Sequence, residues 1–210
     1  MLRIPATLSP RAGRFVQIHG VRVPAWTIEQ HKHHWMKLGR PADAIEQLIE
    51  HQRRWGGLVL PPAVEYEGGP YDLNADDPDC DDDGLVFNVG RPRCSMPYGF
   101  AVDSQGRFGI CGSGYPWVPL HASIDGWVES LALVYAARND ARLVRRVTGE
   151  EADRLIERLA DEPPIATVAG LADNWWQLTE ALVSVARGES LLFGNGVRPS
   201  VLAYEGAFDA

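Results

Sequence analysis

Leu85-Val-Phe-Asn-Val89, Tyr98-Gly-Phe-Ala-Val102 and Arg107-Phe-Gly-Ile-Cys111 are three short β-branched and aromatic runs parted by glycine, proline and aspartate. Such runs, bounded by turn formers, predict strands. Asp103-Ser-Gln-Gly106 separates the last two by a turn of hairpin length, so those strands are expected to be antiparallel neighbours. Leu58-Val-Leu60 and Val64-Glu-Tyr66 extend the pattern upstream into a meander ending near Trp117.

Helical patterning flanks this meander on both sides. Thr27-Ile-Glu-Gln30 has the form of a capping box, Gly39 is a stop signal, and Pro41 opens a second helix with Ile45, Leu48, Ile49 and Trp55 on one stripe. Downstream, Ser123 or Asp125 caps a helix running to about Ala137, with Ile124, Trp127, Val128, Leu131, Val134 and Tyr135 inward. Thr148-Gly-Glu-Glu151 repeats the capping-box form before Ala152, Leu155, Ile156 and Leu159. Trp175, Leu178, Leu182 and Val185 are spaced for a last helix stopped at Gly188, followed by strand-like Leu191-Leu-Phe193 and Val201-Leu-Ala-Tyr204. At the N-terminus, Phe15-Val-Gln-Ile18 and Val21-Arg-Val23 alternate around Gly20 and suggest a hairpin or extended arm. The expectation is an α+β fold: a curved, mainly antiparallel sheet packed with helices, in which residues 1–40 form an arm and first helix, 41–140 the core, and 141–210 a C-terminal extension packed on it.

Composition narrows the function classes. Twenty basic against twenty-eight acidic side chains leave a net charge of −8, which argues against nucleic acid as a direct partner, since phosphates need a basic footprint. A negative surface instead draws in basic ligands and basic protein faces. Three cysteines, Cys80, Cys94 and Cys111, match no zinc or redox spacing and fit reduced thiols in a cytosol. Neither a secretory signal nor the roughly 18 to 20 apolar residues of a membrane span is expected, which points to a cytoplasmic protein.

The strongest local anomaly is Asp72-Leu-Asn-Ala-Asp-Asp-Pro-Asp-Cys-Asp-Asp-Asp83. Asp72, Asp76, Asp77, Asp79, Asp81, Asp82 and Asp83 crowd a dozen positions, and their mutual repulsion predicts an extended, exposed loop. Asp79-x-Asp81-x-Asp83-Gly84 copies the first half of a calcium loop, but the twelfth position, which should be a bidentate glutamate, is Gly90. A solvated loop and an acidic recognition surface for Arg and Lys of a partner both remain open. Tyr71, Tyr98, Tyr115 and Trp117 are candidate aromatic anchors beside it, although each has an equal reading as cover for the sheet.

Other chemistry is thinly signalled. His31 and His34 lie three apart on a helix and would need a third ligand to hold a metal, against a plain polar helix face. Cys111 with His121 is conceivable as thiolate and base, and an enzyme with a site assembled from scattered His, Cys and Asp residues is the alternative reading. Gly109-Ile-Cys-Gly-Ser-Gly114 leads into Tyr-Pro-Trp rather than into a helix, so its glycines read as a turn.

Arg54-Trp-Gly-Gly57 closing a helix, Gly99-Phe-Ala-Val-Asp-Ser-Gln-Gly106 in the meander, and Leu120-His-Ala-Ser-Ile-Asp-Gly-Trp-Val-Glu-Ser-Leu131 resemble the SUKH superfamily of SMI/KNR-like proteins. The resemblance covers roughly residues 43 to 137. It implies an α+β fold without cofactor or catalytic residues, and the function of a bacterial immunity protein that neutralises a cognate toxin by covering its active site. An acidic immunity protein facing a basic toxin surface is physically consistent, because opposite fields speed encounter.

Overall fold

The computed structural model describes residues 4–81, 84–194 and 196–206, with side chains described throughout these ranges except at 77–81 and 84–85. The fold is α+β. In chain order it runs α1 (Pro10–His19), β1 (Val21–Arg22), α2 (Ile28–Lys37), α3 (Ala42–Trp55), β2 (Leu58–Val59), β3 (Ala75–Asp81), β4 (Gly84–Val89), β5 (Gly99–Asp103), β6 (Phe108–Cys111), β7 (Val118–His121), α4 (Ile124–Asp140), β8 (Leu143–Val147), α5 (Gly149–Leu159), β9 (Asn174–Leu178), β10 (Ala181–Ala186), α6 (Gly188–Phe193) and β11 (Ser200–Glu205).

The runs at 85–89, 98–102 and 107–111 give β4, β5 and β6 of a five-stranded antiparallel sheet in the order β3-β4-β5-β6-β7, whereas Leu58–Val59 lies outside it. Its central hairpin is organised by Asp103: the Oδ1 accepts from the amides of Gln105 and Arg107, and the Arg107 Nε donates to Oδ2 at 2.6 Å. A second antiparallel sheet has the order β8-β11-β10-β9, and β1 and β2 form a small ribbon.

α4 lies between the two main sheets. Its Trp127, Val128, Leu131 and Ala132 join Phe100, Phe108 and Ile110 of the five-stranded sheet, while Leu133 and Ala137 join Trp175, Leu182, Leu202 and Tyr204 of the other. Ser123 caps it, accepting from the Gly126 amide. Buried Glu129 accepts from both the amide and the hydroxyl of Ser9 at 2.6 and 2.7 Å, which fastens the start of α1 to the helix.

Several expected elements differ. Residues 15–18 belong to a helix, because Ser9 caps and Pro10 opens it, and Phe15 and Val16 are its buried face. The segment read as a last helix is a hairpin, β9 and β10 joined at Thr179-Glu180, with Leu178 paired to Ala181. Trp175, Leu178, Leu182 and Val185 satisfy a helical stripe, but Val183 and Val185 favour pleated backbone, and adjacent Trp175 and Trp176 enter two different clusters, as alternating strand residues do. Leu191–Phe193 ends α6 rather than forming a strand, and Val64–Tyr66 leads into a tight 3-10 turn at Tyr66–Gly68. Among the described residues, no helix is long and apolar enough to cross a membrane.

Candidate functional site

The acidic stretch is not a free loop. Its first member, Asp72, is 3% exposed: its Oδ1 accepts from the Asn74 amide at 3.0 Å and its Oδ2 lies 3.6 Å from the Arg91 guanidinium. Asn74 Oδ1 accepts from the Gly57 amide and the Gln52 side chain, while Gln52 Oε1 accepts from the Ala75 amide. The start of the run therefore knots α3 and the turn before β2 to the sheet. Repulsion among the aspartates does not expose Asp72, because Arg91 and these hydrogen bonds compensate it.

From Ala75 to Asp81 the chain is the outermost strand of the five-stranded sheet, paired to β4 with a register shift between Ala75 and Pro78. Asp77, Asp79 and Asp81 lie in this strand, and Asp82 and Asp83 lie outside the described residues. Asp76 is exposed. An edge position explains the composition: Pro78 has no amide to offer a further strand, and charge discourages edge-to-edge pairing. Asp79 and Asp81 sit on pleated backbone rather than in a loop that wraps a cation. Gly90 has its own reason, with φ 69° and a would-be Cβ 1.7 Å from the Asp72 carbonyl oxygen.

The four aromatic candidates separate. Tyr71, 40% exposed, lies beside the acidic edge with the Arg91 and Arg93 guanidinium groups 5.6 and 5.3 Å from its ring. Tyr98 is a correction: it is 5% exposed, its hydroxyl donates to Glu189, and burial with that carboxylate pushes its phenol far above the ordinary value. Tyr115 is exposed and meets Phe193 edge-on at 5.1 Å, and Trp117 is half-buried. Tyr115 and Trp117 precede β7, four strands from β3, which is roughly 19 Å across a sheet.

Next to the acidic edge lies a groove of about 330 Å³, walled by Trp26, His31, Asp72, Asn74, Asp76 and Arg91. The capping box at Thr27 and Gln30 forms as expected and sets the first turn of α2. His31 stacks on buried Trp35 at 4.9 Å, and Trp26 packs on His31 and His34 at 5.5 and 5.4 Å. Burial lowers the His31 pKa, Asp76 opposing. Among the described residues no three His, Cys, Asp or Glu side chains are placed to hold a metal ion, so His31 and His34 find no third ligand.

Cys111 and His121 are not brought together. In the β6–β7 register His121 faces Phe108, three residues from Cys111 along β6, or about 10 Å of strand. His121 is fully enclosed, with neither ring nitrogen hydrogen-bonded and its pKa lowered to about 4 by burial, and burial also raises the Cys111 thiol.

One polar cluster escaped the sequence altogether. The Tyr66 hydroxyl donates to the buried Asp173 carboxylate at 2.7 Å and accepts from the Gly188 amide at 3.1 Å, and the Arg187 amide donates to Asp173 at 3.0 Å. Burial raises the Asp173 pKa to about 7 against those hydrogen bonds. Their separations in sequence carry no motif; the faint signal is Gly188, where a Cβ would sit 2.5 Å from the Tyr66 hydroxyl. This cluster is enclosed and hydrogen-bonded, which suits a structural tie between the loop at Tyr66 and the second sheet.

The chain matches no protein-family model, and comparison with the curated proteins and with the solved structures finds no match to either.

Proposed function

We propose that the chain is a non-catalytic immunity protein that binds and neutralises a cognate toxin through a basic surface on that toxin. The observation that carries this reading is the placement of the aspartates: Asp76, Asp77, Asp79 and Asp81 fall in the outermost strand of the five-stranded sheet, with Tyr71 exposed beside them. An edge strand so rich in aspartate attracts a basic face over several ångströms and offers acceptors to its Arg and Lys donors. Exposed Tyr71 adds the kind of aromatic that anchors interfaces.

The test is co-expression with the protein encoded immediately beside this one. Rescue of growth and a stable complex are expected; failure of both rejects the reading. Asp79, Asp81, Asp82 and Asp83 changed together to Asn should slow association and flatten its salt dependence. Unchanged association kinetics would reduce the acidic edge to protection against strand pairing.

A further inference from the structure

We infer that the groove between Trp26, His31 and Asp76 is a socket for an arginine side chain of the protein partner. The inference rests on the binding reading above and names the chemistry that one part of the acidic rim selects. Three observations converge on a guanidinium. Trp26 is 55% exposed yet held in place, because its ring packs against His31 and His34, and His31 in turn stacks on Trp35, which is 1% exposed. An exposed indole with a fixed orientation offers its π face to a cation without an ordering cost.

The second observation is an unpartnered ring nitrogen. His31 is 9% exposed, lines the groove, and its Nε2 is buried with no hydrogen-bond partner. A buried polar atom without a partner carries a desolvation cost, which a side chain that seats against the ring and donates to it in the tautomer that leaves Nε2 bare removes. The third is charge. Asp72 and Asp76 line the same groove, and a carboxylate accepts several donors at once, so Asp76 can take a further one whatever it already holds.

Arginine fits these walls better than lysine. Its planar guanidinium stacks on an indole while its forked N–H groups reach two acceptors in different directions, whereas an ammonium is a compact and strongly hydrated point charge. The groove's size, about 330 Å³, lies at the lower end of small-ligand sites. Arg91 already holds the far rim, 3.6 Å from Asp72 and over the Tyr71 ring, so the incoming side chain takes the Trp26 side. Arg91 is also a like charge that weakens the socket, which supplies a readout no general loss of structure imitates.

The probe is N-acetyl-L-arginine methylamide, titrated into the ¹⁵N-labelled full chain at neutral pH and followed by amide and indole shifts. Saturable shifts are expected at the Trp26 indole and the amides around His31 and Asp76, with the lysine analogue weaker and the norleucine analogue silent. Trp26→Ala and Asp76→Asn should each weaken binding roughly tenfold, and Arg91→Gln should strengthen it severalfold. Absence of saturable shifts at Trp26 in the wild-type chain overturns the socket, as does binding indifferent to Asp76 and Arg91. If the neighbouring protein binds and the arginine amide does not, the socket falls and the immunity reading stands. If the amide binds as described and no neighbouring protein does, the immunity reading falls and the socket stands.

Discussion

The Tyr66 hydroxyl meets the Asp173 carboxylate at 2.7 Å from a backbone held at φ 58°, a left-handed conformation that non-glycine residues rarely adopt. Tyr66→Phe keeps the ring against Trp127 but strips Asp173 of a donor and the Gly188 amide of its acceptor. The expected loss is about 2 to 3 kcal/mol in urea denaturation. Asp173 has a folded pKa of about 7, above its ordinary value, so its stabilising protonation is lost as pH rises toward 7. Removing the donor lifts that pKa further, so the variant's deficit should be larger at pH 8.5 than at pH 5.5. An equal deficit at both values would contradict the pairing.

His51 and His121 set the acid limb. Burial lowers each to about 4, so the stability they confer is complete above the unfolded pKa of about 6.5 and is lost as pH falls toward 4. Asp173 works the other way across the same window, leaving a net deficit of one proton and a slope of about 1.4 kcal/mol per pH unit for the three groups. His121→Leu should cancel that slope, read as similar urea midpoints at pH 5 and pH 6.5. A steeper acid limb in the variant would refute the assignment.

Gly90→Ala places a Cβ 1.7 Å from the Asp72 carbonyl at a positive φ, where backbone rather than a flexible side chain must yield. A loss of about 3 kcal/mol or more is expected, visible as a lower melting temperature and soluble yield. Gly106→Ala, also at positive φ but with open space around it, should cost about 1 kcal/mol.

Two threonines share a capping motif and differ in structure. Thr27 accepts from the Gln30 amide, whereas the Thr148 side chain makes no cap hydrogen bond. Thr27→Ala should cost about 1 kcal/mol by thermal denaturation and Thr148→Ala less than about 0.5. Equal costs would mean that the motif alone, not its geometry, governs.

β4, β5, β6, α3, α4 and α5 were legible because turn residues and apolar spacing agree there, whereas β3 was hidden under a run of aspartates that reads as a loop. Legibility failed where one pattern serves two periods: Trp175, Leu178, Leu182 and Val185 fit a helix on paper, and only pairing with β11 decides for strands. It also failed where distance in sequence hides contact, as with Tyr66 and Asp173 or Ser9 and Glu129. Within the candidate site, the run of aspartates announced itself through charge, but its place at a sheet edge and the burial of Asp72 depend on Gln52, Asn74 and Arg91, which no spacing links. His31 was visible singly, but its packing against Trp26 and its stack on Trp35 needed α2 to bring the rings together.

α4 gives Trp127 and Leu131 to one core and Leu133 and Ala137 to the other within about three turns. Each core thus uses the other as the support for its central helix, so neither sheet has a complete hydrophobic partner alone. Calorimetry should register one transition, with no separate melting of residues after 141. Recombination that exchanged the tail at that point would strip the cover from Leu133 and Ala137, so a foreign tail is tolerated only if it brings an apolar face that fits this one helix.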